Sequence, residues 1–258
     1  MITDQLNTQL WAAFNDVSFD EVSHTYTDSK NTTYVSSTQF IKKFYPPKDW
    51  DEQAKKTAEK RGVDVEELKK EWKNKGEHAT TLGTELHAVM EYLWNKKDYP
   101  GNKEKMDKFP GMYEEFLARK KVCQDIFRKM KRIYVPIANE FVVNDSINGI
   151  AGTIDFLAYD TLHNQYVIID WKSSGTFKRE NTYGENRSHV KLLAPFELYD
   201  AANVNEYSLQ LSLYKYIIEK YTNIKIGEML LFQLPKAGEL PRVEKCADMT
   251  YGYKKILK

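Results

Sequence analysis

Apolar and polar positions recur along this chain with two different periods, and the change from one to the other near Ile133 divides it. In residues 18–34, Phe19, Val22, Tyr26 and Tyr34 flank a turn-forming run at 28–31, which predicts a short hairpin. Residues 35–45 read as an amphipathic helix with Ser36, Ser37 and Thr38 as candidate caps and Pro46 and Pro47 as its stop. The densely charged stretch 49–76 places Trp50, Ala54, Ala58, Val63, Leu68 and Trp72 at helical spacing, facing inward. Thr80 and Thr81 then cap a further helix that runs to Trp94. Its apolar side is Leu86, Val89, Met90 and Leu93, while His87 and Glu91 lie one turn apart on a shared polar face. After Pro100 and Gly101, residues 103–132 form a long helix interrupted near Pro110 and basic in its last turns.

Beyond Ile133 the period falls to two. Residues 135–143, 150–159 and 166–171 are three strands, and the short link 160–165 joins the last two as an antiparallel hairpin. A Gly-, Asn- and charge-rich loop fills 173–203, a strong helix spans 205–221, and a final strand at 226–234 closes the sheet. Helices, strands, helix, strand is the order of an α/β (α+β) fold: a central mixed β-sheet flanked by helices, with an N-terminal helical region. The expected division is an N-terminal hairpin and helical arm over 1–80 and a core over 81–258.

Composition changes this picture little. With 41% hydrophobic and 29% charged residues, 258 residues are ample for a substantial core and far from disorder. A net charge of +1 argues against a protein that coats nucleic acid through overall charge, although a local basic stripe beside an acidic site would also sum to nearly zero. Cys123 and Cys246 are distant and have no Cys/His company, so neither a disulfide framework nor a zinc site is expected. Neither a secretory leader nor a membrane-length apolar run is visible, and no Walker A loop. A cytoplasmic protein with no membrane role and no nucleotide cofactor is the expectation.

The sharpest chemistry lies in Gly152-Thr153-Ile154-Asp155 followed, across the hairpin, by Asp170-Trp171-Lys172. Side chains alternate on a strand, so Asp170 and Lys172 share a face, and an antiparallel partner sets Asp155 opposite them. Two aspartates and the Trp171 carbonyl make an open oxygen site for Mg2+, with Mn2+ as a substitute and one or two ions per site. Lys172 is placed to orient or deprotonate an attacking water, helped by a depressed pKa if desolvated. The D-x-K spacing alone also fits a surface hairpin with an ordinary ion pair.

These residues, with their neighbours, resemble the PD-(D/E)XK nucleases of the RecB-like exonuclease branch, which includes phage exonucleases and the mitochondrial genome maintenance exonuclease. The resemblance runs from about Gly83 to Leu234. Gly83-Thr84-Glu85-Leu86-His87 is similar to the helical G-x-x-x-H motif, whose histidine ligates or faces the metal. Glu91 lies one turn on, placed to bind a second metal through water or to pair with a neighbouring Lys. Glu140 matches the acidic position before G-T-x-D, as a holder of a second metal or an orienter of Lys172. Asp155, Asp170 and Lys172 match the catalytic core, and Gln210 with Tyr214 matches the Q-x-x-x-Y helix, touching phosphate or fixing Lys172. The resemblance implies a restriction-endonuclease-like core and a metal-dependent DNA exonuclease in phage or cellular recombination, repair or processing, working beside a recombination or replication partner protein. The alternatives are a structure-specific endonuclease with the same site and a catalytically silent nucleic-acid-binding module. The basic tract 119–132, including Arg128 and Lys129, is a solvated helix face or a DNA-backbone contact. Tyr183 in the loop is a candidate for stacking on a base.

Overall fold

A computed structural model describes residues 2–173, 175–183 and 188–258. The chain opens with a helix that the apolar pattern does not predict, α1 (Ile2–Phe14). A three-stranded meander follows, β1 (Val17–Asp20), β2 (Thr25–Asp28) and β3 (Thr33–Ser36), then a short helix α2 (Ser37–Ile41) and a 3-10 turn. Helices α3 (Trp50–Arg61), α4 (Val65–Trp94), α5 (Lys103–Met106) and α6 (Met112–Met130) lead to the strands β4 (Tyr134–Asp145), β5 (Ile150–Asp160) and β6 (Gln165–Lys172). The small hairpin β7 (Thr182–Tyr183) and β8 (Ser188–His189) precedes α7 (Asn203–Tyr221), β9 (Ile226–Gln233), β10 (Val243–Lys245) and α8 (Thr250–Ile256).

Local chemistry accounts for the breaks. Gly62 ends α3 in the left-handed conformation, at φ 66°, and the Asp64 carboxylate accepts from the backbone of Glu66 and Glu67 to start α4. From there α4 runs unbroken for 30 residues, so Thr80 and Thr81 lie inside it and cap nothing, and the division expected at residue 80 falls within this helix. Trp50 and Val63, expected to face inward, are 60% and 37% exposed, because one begins α3 and the other lies in the turn after it. Of the three cap candidates near residue 37, Ser36 caps α2 by accepting from the Gln39 backbone, and residues 33–36 are strand rather than helix. The loop 173–203 carries β7 and β8, and its residues 174 and 184–187, like the Tyr183 side chain, lie outside the described residues.

One sheet runs β1-β2-β3-β5-β6-β9-β10, with β4 also paired to β5. It is mixed: β3–β5 and β6–β9 are parallel and the remaining pairs antiparallel. The strand at 226–233 does not close it, since β10 adds beyond. Helices cover both faces. On one, α1, α2, α7 and α8 bury residues such as Ile154, Ile168, Leu213 and Tyr253; on the other, α4 and α6 cover Phe156, Val167, Ile169 and Trp171. This is the central mixed sheet between helical layers that the pattern predicts. Among the described residues no helix is long and apolar enough to cross a membrane.

Candidate active site

Strand β5 is shared. Near its start β3 pairs with Ile150 and Ala151, and near its end β6 pairs with residues 156–160, so residues 152–155 have no described strand partner on that side. The notch between β3 and β6 is where the polar groups gather. Antiparallel register sets Glu140 of β4 opposite Asp155, between the pairs Asn139–Phe156 and Phe141–Ile154. Continued one step past Phe156–Ile169, the β5–β6 register would set Asp155 opposite Asp170. The strands part instead, and the Asp155 carboxylate accepts from the Trp171 backbone N–H at 2.9 Å. Three adjacent strands thus deliver three carboxylates at one level of the sheet.

The backbone is irregular at that level. Glu140 has φ 43°, a left-handed conformation rare for a residue with a side chain. Ile154 and Phe156 pack on opposite faces of the sheet, although residues two apart on a regular strand share a face. Such local departures re-aim side chains, and here they turn Glu140 and Asp155 into the cleft.

His87 arrives from α4, with Nδ1 3.3 Å from Asp155 Oδ2. One ligand atom each from His87, Glu140 and Asp155 lie within 4.8 Å of one another, which suits one small cation. At Gly83 α4 comes close to the end of β6: a Cβ there would stand 2.8 Å from the Ser173 hydroxyl. Asp170 is buried and not one of those three; its Oδ2 lies 2.6 Å from Lys172 Nζ, outside hydrogen-bonding alignment, and has no hydrogen-bond partner. A buried carboxylate oxygen left with spare acceptor capacity, beside two carboxylates and an imidazole, is a donor set that fits a divalent cation. Glu91 lies on the same side of α4 and its carboxyl is raised by burial and by the charge of Glu21, a residue of the β1–β2 turn that no sequence motif marks.

The carboxylates raise one another. Loss of hydration around the carboxyl, which lies among the cleft side chains although the residue as a whole reaches solvent, then the charges of Asp155, Glu91 and Asp170, push Glu140 up to about 9. Burial carries Asp170 up to about 6 despite Lys172 beside it. The depressed pKa expected for Lys172 is not found. Burial does lower it, but the negative charges of Asp170 and Asp155 outweigh burial and the ammonium is held above its ordinary value. In this state Lys172 is a cation that donates, not a free amine that accepts a proton.

Other residues are placed differently. Tyr214 is 2% exposed; its hydroxyl is 2.8 Å from Ser37 Oγ and accepts from Gln210 Nε2 at 2.9 Å. It fills the notch against Gly152, whose missing Cβ would lie 2.6 Å from the Tyr214 ring and 2.5 Å from Ser37 Oγ. Tyr214 therefore props β5 from beneath, and among the pair only the half-buried Gln210 has surface to offer a ligand. The Trp171 side chain is core, stacked on Phe156, which is itself stacked on Trp94. Within the basic tract, Arg119 is 4% exposed and donates to the Ser173 and Leu234 carbonyls, tying α6 to the ends of β6 and β9. Arg128, which pairs with Asp125, and Lys129 sit nine and ten residues further along α6 than Arg119, about 14–15 Å of helix rise away. The structure does not gather them with the carboxylates. Tyr207 was not expected; the face of its ring lies 4.3 Å from Lys172 Nζ, and its position one turn before Gln210 on α7 was the only sequence signal.

A family model describing the PD-(D/E)XK nuclease superfamily matches residues 62–251. It begins ahead of Gly83 and takes in α4 from its start. A search of curated proteins gives no match.

Proposed function

The chain belongs to the PD-(D/E)XK nuclease superfamily, and from that premise we propose that it is a magnesium-dependent deoxyribonuclease that degrades DNA from its ends. A nuclease domain of this kind implies a DNA substrate and divalent metal. The observation that carries the proposal is the row Glu140, Asp155 and Asp170 on three adjacent strands, flanked by His87 and Lys172. Phosphodiester hydrolysis needs negative charge on phosphorus neutralised and a water activated, and a bound divalent cation supplies both. Asp155, Asp170, Glu140 and His87 would hold it, with the Trp171 carbonyl at the same strand end. Lys172, charged and donating, binds the scissile phosphate or orients the water next to it. Burial and the neighbouring carboxylates raise the Glu140 carboxyl to about 9, so holding a divalent cation there would favour its ionised form.

The reading of end-dependent cleavage, with a role in recombination, repair or DNA processing, rests on the resemblance of the G-x-x-x-H, G-T-x-D and Q-x-x-x-Y motifs. It is tested with 5′- and 3′-labelled linear DNA and closed circular DNA, in Mg2+ and in EDTA, for wild type and Lys172→Ala. Loss of linear DNA alone, abolished by EDTA and by Lys172→Ala, is the expected result. Nicking of the circle would make the protein an endonuclease; inert wild type on both substrates, with Mn2+ also supplied, would remove the catalytic reading.

A further inference from the structure

Lys172 projects from the last residue of β6 and is four-fifths buried, so its ammonium has few places to go. Two groups hold it. Asp170 Oδ2 lies 2.6 Å away, and the face of the Tyr207 ring lies 4.3 Å from Nζ, well inside the range at which an aromatic face attracts a cation. The two partners differ in what they do when the site is charged with metal. Asp170 is a candidate metal ligand, and a divalent cation on its oxygens both weakens its hold on the ammonium and repels it. The ring is neutral, competes for no metal, and keeps its attraction.

The ring itself is well braced. Tyr207 lies on α7, where the neighbouring Ser208 and Ser212 hydroxyls accept from the backbone of Ala247 and Met249, pinning the helix to the C-terminal segment. One turn on, Gln210 donates to Tyr214, which Ser37 holds in the notch under β5. Helix, prop and strand are thus fixed relative to one another, and the ring is set in place before any substrate arrives. A lysine has four freely rotating carbons, so without such a platform its head would sample several positions once released from Asp170.

We propose that Tyr207 is a positioning residue for Lys172, its ring face retaining the ammonium in the cleft when a metal ion occupies the neighbouring carboxylates. This rests on the nuclease reading above. Because the ring acts through Lys172, its loss is expected to act on turnover and to leave metal binding intact.

The experiment compares wild type, Tyr207→Phe and Tyr207→Leu by three measurements. In metal-free protein, nuclear magnetic resonance of the Lys172 side chain reads the upfield ring-current shift of its ε-methylene protons. The shift is expected in wild type and Tyr207→Phe and absent in Tyr207→Leu. Calorimetric titration with Mn2+ alone should give the same affinity in all three. On labelled DNA, Tyr207→Phe should keep kcat within about twofold, and Tyr207→Leu should lose roughly tenfold in kcat with KM unchanged, the effect of one desolvated cation–ring contact. If Tyr207→Leu does not fold, ring-pentafluorinated phenylalanine at position 207 keeps the shape but reverses the ring face, and the same loss relative to Tyr207→Phe is expected. Wild-type kcat in Tyr207→Leu or in the fluorinated protein, or no ring-current shift in wild type, overturns the proposal alone. Inert wild-type protein overturns the nuclease reading and this proposal with it.

Discussion

Gly152→Ala isolates the packing on which the site is built. An added methyl would meet three atoms at once: Ser37 Oγ at 2.5 Å, Tyr214 Cε1 at 2.6 Å and the Tyr214 hydroxyl at 2.8 Å. Ordinary carbon contacts lie near 3.5–4.0 Å, so about an ångström must be found somewhere. The serine hydroxyl could rotate away, but the tyrosine ring is buried and its hydroxyl is bonded to Ser37 and Gln210, so β5 or α7 has to shift. Overpacking of this sort costs about 1–3 kcal/mol. For a protein of this size that lowers Tm by roughly 2–4 °C per kcal/mol. Gly76 supplies the control, since nothing lies within 4 Å of a Cβ there and the residue is in the interior of α4. Gly76→Ala should therefore stabilise by roughly 0.5–1 kcal/mol through helix preference. Urea titration of both variants gives the two signs, and nuclease assay of Gly152→Ala should show reduced turnover because Asp155 lies three residues along the displaced strand. Equal stability of Gly152→Ala and wild type would refute the argument that Tyr214 and Ser37 require this glycine.

Three further perturbations test other parts of the structure. Arg119→Met removes the donor that satisfies the Ser173 and Leu234 carbonyls while keeping most of the side-chain volume, and should cost about 2–4 kcal/mol in urea unfolding; a loss below about 0.5 kcal/mol would show those carbonyls to be solvated. Asp200 is held at about 2 by its bonds to Lys191, His189 and the Asn181 backbone, which outweigh the upward push of burial. A carboxyl lowered on folding adds stability above its unfolded value near 3.8 that disappears as pH falls through about 2. With half-exposed partners the advantage is about 1–2 kcal/mol, so Asp200→Asn should be destabilised by that amount at pH 7 and converge on wild type only below pH 2. Metal-free Glu140 keeps its proton up to about 9, so Mg2+ added at pH 7 should release close to one proton per site, measured by calorimetry in buffers of different ionisation enthalpy. No buffer dependence would place the cation away from Glu140.

Much of the site was legible because strand periodicity converts sequence spacing directly into geometry. Asp170 and Lys172, two apart, had to share a face, and the short link after Asp160 had to return β6 alongside β5. Helical spacing did the same for His87 and for Gln210 with Tyr214. What such local rules cannot carry is distance along the chain. Ser37 meets Tyr214 across 177 residues, and Arg119 reaches Ser173 and Leu234 from a helix that reads as a plain basic face. The unbroken α4 was missed because Gly76 and the threonines after it look like a stop and a new cap. Their low helix preference is offset by tertiary packing of the following turns against the sheet.

The kinds of groups and their order can be read along the chain: three carboxylates, an imidazole and an ammonium on strands and a helix of a mixed α/β core. How they are tuned depends on the folded arrangement. Only the folded chain brings Glu140 opposite Asp155, sets Tyr207 over Lys172 and buries Asp170, because charge–charge and cation–ring energies depend on separations and burial that arise from packing between distant segments. That is why the lysine is held charged rather than neutral, and why the tyrosine of the Q-x-x-x-Y helix is a prop beneath the strand.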